Sequence, residues 1–176
     1  MKPAHLIAAF AVALALTAAV SDVRERRIPN ALTYPSVFLG LTLQTALHGY
    51  AGLRQSIAGC LLFGGVFLVF YLMRAMGAGD VKLAAALGSI VGLSESVTLM
   101  FATAVSGGAL AVVYMIRSGQ TKRTLLRTFS VVWHHARHGL DAHPEVNLDN
   151  PKAVRMPYGL AFAMGTVYWA LSSLGR

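Results

Sequence analysis

The 176-residue sequence predicts an all-α, polytopic membrane protein with six transmembrane helices. Three observations lead there. Hydrophobic residues make up 56% of the chain and charged residues 12%, against about 25% charged in an ordinary soluble domain. Six apolar runs follow one another, none with an acid or base in its interior. The basic residues also gather on one side of those runs, as they do at the cytoplasmic face of a membrane. This balance excludes a soluble globular enzyme, a disordered chain and a secreted disulfide scaffold. The single cysteine, Cys60, excludes an internal disulfide and a four-cysteine zinc site.

The runs are Leu6–Val20, Ala31–Leu47, Gln55–Met73, Val81–Leu93, Ser96–Ile116 and Pro157–Leu174. About 20 residues cross a hydrocarbon core of roughly 30 Å at the helical rise. Five runs approach that length once their flanks are counted. The fourth, which opens beside Lys82, covers only about 20 Å, so either its start is recessed or the bilayer thin there, or its neighbours tilt and Lys82 snorkels to the interface. The first run, with Lys2 before it and small residues at its end, also has the outline of a signal peptide. The acidic motif that follows argues that the segment is kept. Gly64-Gly65 and Gly107-Gly108 read as places of close helix packing.

An outside N-terminus puts Arg24, Arg26, Arg27, Arg74 and Lys82 inside, with the seven bases of 117–156. Only Lys2, Arg54 and Arg176 are left outside, so both termini are predicted to lie there. The net charge of +8 then serves an anionic lipid surface, and no nucleic-acid fold pattern appears. The whole chain, 1–176, reads as a single membrane domain. Its cytoplasmic loop, 117–156, holds Leu125, Leu126, Phe129, Val132, Trp133 and Ala136 on one helical face. Lys122, Arg123, Arg127, His134 and Arg137 project elsewhere, which predicts an amphipathic helix between helices five and six, lying in the interface. His134 and His138 have i, i+4 spacing, but no H-E-x-x-H pattern occurs and no metal or cofactor is expected.

Chemistry points to the acids. Glu95 falls in an outer turn, and Asp141, Glu145 and Asp149 fall in the loop. Asp22 directly ends the first run and Asp80 directly opens the fourth, so both stand at one membrane boundary on the same side. Ionisable groups at such depth cost free energy and are functional candidates by default. Asp80 closes Gly77-Ala78-Gly79-Asp80, whose glycines end helix three and let another backbone approach. After Asp22 comes a short basic turn to Pro29 and Asn30, where Pro29 suits a helix start and Asn30 can cap it. Two carboxylates brought together share one proton, so one acts as base toward water and the other as acid toward a carbonyl. Lys82 and Arg27 stand close enough in sequence to steady a carbonyl or the pair, or else to meet lipid phosphate.

Asp22-x-Arg24-x-x-x-Ile28-Pro29-Asn30, together with Gly77-x-Gly79-Asp80-x-Lys82-Leu83, resembles the type IV prepilin peptidases, membrane aspartic proteases of the GxGD class. Pro157-Tyr158-Gly159-Leu160-Ala161-Phe162-Ala163-x-Gly165 resembles the opening of the last helix in small members serving tight-adherence pili. The resemblance spans about residues 6 to 174. It implies that Asp22 and Asp80 are the catalytic pair, supported by Gly77, Gly79, Asn30, Pro157 and Tyr158. It further implies residence in the bacterial inner membrane, cleavage of leaders from prepilins at the cytoplasmic boundary, and work alongside a pilus assembly machinery. The larger members carry an extra domain with paired cysteines after their first helix. Here a short turn and a single cysteine stand instead, so no N-methylation of the new pilin terminus is expected. The competing readings are another GxGD protease, a proton-relay transporter and a non-catalytic secretion subunit. A transporter expects acids near mid-membrane, where this sequence has none.

Overall fold

The computed structural model describes residues 3–117 and 156–175, and every described element is helical. Helix α1 is Pro3–Glu25, α2 is Asn30–Leu72, α3 is Ala78–Arg117 and α4 is Tyr158–Leu174. The amphipathic helix expected around Leu125–Arg137, with His134 and His138, lies outside the described residues, as does most of the 117–156 loop.

The second and third apolar runs form the two arms of α2, and the fourth and fifth form the two arms of α3. Each of these long helices is broken at one glycine, Gly49 (φ 61°, ψ −145°) in α2 and Gly92 (φ 79°, ψ 170°) in α3. A residue bearing a Cβ rarely adopts either conformation, so glycine allows the chain to turn without a loop. Three helices, α1, α2 and α3, are long and apolar enough to cross a membrane.

Contacts across the bends give the directions of the arms. Arm 30–48 runs parallel to arm 78–91: Lys82 reaches Asn30 near one end, and Gln44 Nε2 donates to the Ile90 carbonyl near the other, 2.7 Å away. Arm 50–72 runs antiparallel to the same partner, with Ser56 Oγ 2.6 Å from the Ser89 carbonyl and Gly64 against Ala85. Arm 93–117 returns antiparallel to α4. Trp169 Nε1 donates to Glu95 Oε2 at 2.8 Å, and Gly165 and Gly107 meet Thr103 and Ala161. The helical segments therefore alternate in direction. One end of the bundle holds the Gly49 and Gly92 turns, and the other holds both aspartate motifs.

Burial follows small residues. Ala8, Ala11, Ala15, Ala18 and Ala19 form a buried stripe on α1, which packs chiefly on α4. Phe63, Phe67 and Phe162 fill the centre, their ring centroids 5.0–5.9 Å apart. Large side chains point outward: Phe38, Leu61 and Leu171 are 68%, 69% and 70% exposed, as suits a lipid-facing surface. Of the glycine pairs, Gly64 and Gly107 do face neighbouring helices, while Gly65 and Gly108 face open space.

The break at Gly92 releases backbone groups that an unbroken helix would pair. Both halves of the lost Ile90–Ser94 pair find side-chain amides: Gln44 Nε2 donates to the Ile90 carbonyl, and Gln55 Oε1 accepts from the Ser94 N–H. Gln44 is buried, and its Oε1 accepts from His48 Nδ1 at 3.0 Å. Gln44→Leu should therefore strand a buried carbonyl and lower stability by about 1–3 kcal/mol. Leu61→Ala, on the outward face, should shift it by less than about 0.5 kcal/mol. Both are read from unfolding followed by helical circular dichroism in detergent.

Candidate active site

Helix α1 runs past the end of its apolar run, so Asp22 lies in its last turn rather than after it. Arg26 stops the helix in the left-handed region (φ 51°), its N–H bonded to the Asp22 carbonyl at 2.9 Å. Ser21 Oγ then donates to the Arg27 carbonyl at 2.8 Å, closing the link back onto the helix. The Arg27 side chain is exposed. Pro29 precedes α2, and its carbonyl accepts from Leu32 and Thr33. Asn30 does not cap the helix as expected: no side-chain cap bond is made, and its Oδ1 accepts from Lys82 Nζ at 2.8 Å. Lys82 also lies 5.2 Å from the centre of the Tyr34 ring. It thus fastens the start of α2 to the start of α3.

The end of α2 is also made differently from expectation. Arg74 (φ 58°), not a glycine of the Gly77–Asp80 motif, takes the left-handed position. Gly77 instead donates its N–H to Asp80 Oδ2 at 3.1 Å, while the Asp80 N–H returns to the Gly77 carbonyl at 3.1 Å. This reciprocal pair fixes Asp80 in the first turn of α3. Gly79 provides the expected close approach, for a Cβ there would stand 3.2 Å from Ile28 Cβ. Ile28, 6% exposed, belongs to the Asp22 motif, so the two aspartate motifs pack on each other through this contact.

The start of α4 completes the arrangement. Pro157 precedes the helix with extended backbone, and its carbonyl accepts from Leu160. Tyr158, the first residue of α4, is half-buried at the same end of the bundle. Gly159 donates its N–H to Asp22 Oδ2 at 2.7 Å, across 137 residues of sequence. The sequence named Pro157 and Tyr158 but missed this amide. The only available signal was a glycine in the first turn of a helix.

Asp22, Asp80, Gly77, Gly79, Pro157 and Tyr158 are therefore gathered at one end of the bundle, with Asn30 and Lys82 paired beside them. Each aspartate has Oδ2 held by a backbone N–H, and among the described residues no donor is recorded at either Oδ1. Two half-buried carboxylates, each anchored through one oxygen, suit proton exchange with a substrate and water. No group of three His, Cys, Asp or Glu suited to a metal ion occurs among the described residues.

The profile of the type IV leader peptidase family matches residues 9–112, more than half of the chain. A prepilin leader peptidase/N-methyltransferase of Burkholderia pseudomallei is 34% identical over 116 residues, 61% of this chain and 37% of that protein. One of Escherichia coli K12 is 29% identical over 118 residues, 62% of this chain and 52% of that protein. One of Neisseria gonorrhoeae is 28% identical over 106 residues, 56% of this chain and 37% of that protein. The chain thus spans between 37% and 52% of the length of these curated relatives. No solved structure matches significantly.

The Asn30–Lys82 bond lends itself to a double-mutant cycle. Asn30→Ala and Lys82→Met should each destabilise the bundle modestly. Together they should show a coupling of about 0.5–1.5 kcal/mol in detergent unfolding, the worth of one hydrogen bond.

Proposed function

The chain belongs to the type IV leader peptidase family, and on that premise we propose that it is a membrane aspartic endopeptidase removing leader peptides from prepilins, with Asp22 and Asp80 as its catalytic pair. One observation carries the reading: Gly79 beside Asp80 packs on Ile28 of the Asp22 motif, so the last turn of α1 and the first turn of α3 meet at one end of the bundle, with each carboxylate anchored by a backbone N–H. One carboxylate takes a proton from water as the water oxygen attacks the scissile carbonyl carbon. The other gives its proton to the carbonyl oxygen. The resulting gem-diol collapses as the C–N bond breaks and a proton passes to the leaving nitrogen. Tyr158, in the first turn of α4, would order the carboxylate pair or the substrate.

The alternating arms support a six-span topology in the bacterial inner membrane, with bends at Gly49 and Gly92 as outer turns and both termini periplasmic. The site end then faces the cytoplasm, where exposed Arg24, Arg26 and Arg27 meet anionic head groups and where prepilins await assembly by the pilus machinery. The proposed substrates are prepilins of the tight-adherence type, from the likeness of the Pro157–Gly165 stretch. The proposed activity omits N-methylation. Only Arg26–Pro29 separate α1 from α2, leaving no inserted domain there, and Cys60 has no cysteine partner in the chain.

Co-expression with a candidate prepilin tests the reading. Asp22→Asn or Asp80→Asn should each reduce leader removal by about 10³-fold or more, within the range expected for loss of a general acid or base. Leader removal is read by gel shift at matched membrane levels. Cleavage surviving both changes would sink the mechanism. Mass spectrometry of the product should find an unmethylated N-terminus when S-adenosylmethionine is supplied.

A further inference from the structure

We propose that the backbone amide of Gly159 is a positioning group for Asp22, and that glycine is required at 159 to deliver it. The inference rests on the aspartate-pair reading above and adds a component from a distant part of the chain.

Three observations support it. The bond from the Gly159 N–H to Asp22 Oδ2, at 2.7 Å, falls in the short range of charge-assisted hydrogen bonds. Gly159 is the second residue of α4, where a backbone N–H has no acceptor within its own helix and is free for a carboxylate. The space around it is closed as well. A Cβ at 159 would stand 2.9 Å from Asp22 Cβ, 3.0 Å from Ala19 Cα and 3.0 Å from Asp22 Oδ2. Two of those neighbours are fixed by the α1 backbone, so a side chain at 159 would push the two helices apart and lengthen the bond.

The geometry matches what Gly77 does for Asp80. In each case a peptide N–H takes Oδ2, fixes the plane of the carboxyl group and leaves Oδ1 for proton traffic. Asp80 is held by its own segment, three residues away. Asp22 depends on α4, whose first turn holds Asp22 Oδ2 and so sets how Asp22 faces its partner.

The test uses the full chain in detergent or nanodiscs, with a purified prepilin that the wild type cleaves. Gly159→Ala should lower kcat by about 100-fold, the cost of a small misplacement of a reacting group. KM should stay within roughly threefold, since substrate binding is not what the amide serves. Gly165→Ala, on the same helix as Gly159 but away from the aspartates, is the packing control, because its Cβ would stand 2.6 Å from Thr103 Cα of α3. It should lower thermal stability while folded enzyme keeps its kcat. Full activity in Gly159→Ala, or an equal kcat loss in Gly165→Ala, would overturn the inference. If Asp22→Asn remains active in the same assay, the aspartate-pair reading itself falls; if it is dead while Gly159→Ala is active, only the role of Gly159 falls. Should Gly159→Ala fail to insert, amide hydrogen exchange in Asp22→Ala decides. Loss of protection confined to the Gly159 N–H supports the inference, and unchanged protection overturns it.

Discussion

The bundle depends on helices that meet backbone to backbone. Lipid gives no hydrophobic reward for joining one apolar helix to another, so contact must come from close packing and shared hydrogen bonds. Here the contacts are made where side chains are smallest. Gly59 faces Gly88 at the middle of the α2–α3 contact, Gly40 faces Ser89, Gly64 faces Ala85 and Gly165 faces Thr103. The same device recurs at the site. Gly79 admits Ile28, and Gly159 admits Ala19 and Asp22. The geometry around the two aspartates and the stability of the bundle thus rest on one kind of interaction, and an added methyl group would disturb either.

A second constraint follows from the dry interior: a broken helix must find new partners for the groups it releases. At Gly92 these come from Gln44 and Gln55, which sit in different arms of α2, and from Ser56, whose hydroxyl reaches the Ser89 carbonyl. The turn of α3 is therefore held by both arms of α2 at once. This fixes arm 78–91 along its length, and with it the position of Asp80 at the opposite end.

Much of this was legible in the sequence, because charge and apolarity are local properties. The apolar runs locate the helical segments, and the acids stand out because so few occur. Asp22 and Asp80 were identifiable as a pair from their places at run ends and from the motifs around them. What could not be read was how segments join and which backbone groups meet. Polar residues around Gly49 and Gly92 look like loops, although the chain turns there on a single residue. Asn30 looks like a cap, yet its oxygen is taken by Lys82 from another helix. The Gly159 amide carries no side chain to betray it, and its partner lies 137 residues away. Side-chain identity marks the chemistry, whereas backbone placement is a product of the whole fold.

That division explains why the acids stand at helix ends rather than within the helices. A helix interior has no spare N–H, so a carboxylate there would be buried without donors. The first turn of a helix has several N–H groups without acceptors, and each needs a partner when buried. Asp80 takes one beside α3 and Asp22 takes one from α4, so each carboxylate satisfies backbone that would otherwise be stranded and is oriented in return. The arrangement separates two roles of the same side chain. Accepting the N–H requires only an oxygen, which an asparagine amide also supplies. Exchanging a proton with substrate requires an acid. On the proposed reading, asparagine in place of either aspartate therefore removes the chemistry while keeping the helix ends paired, whereas alanine would remove both.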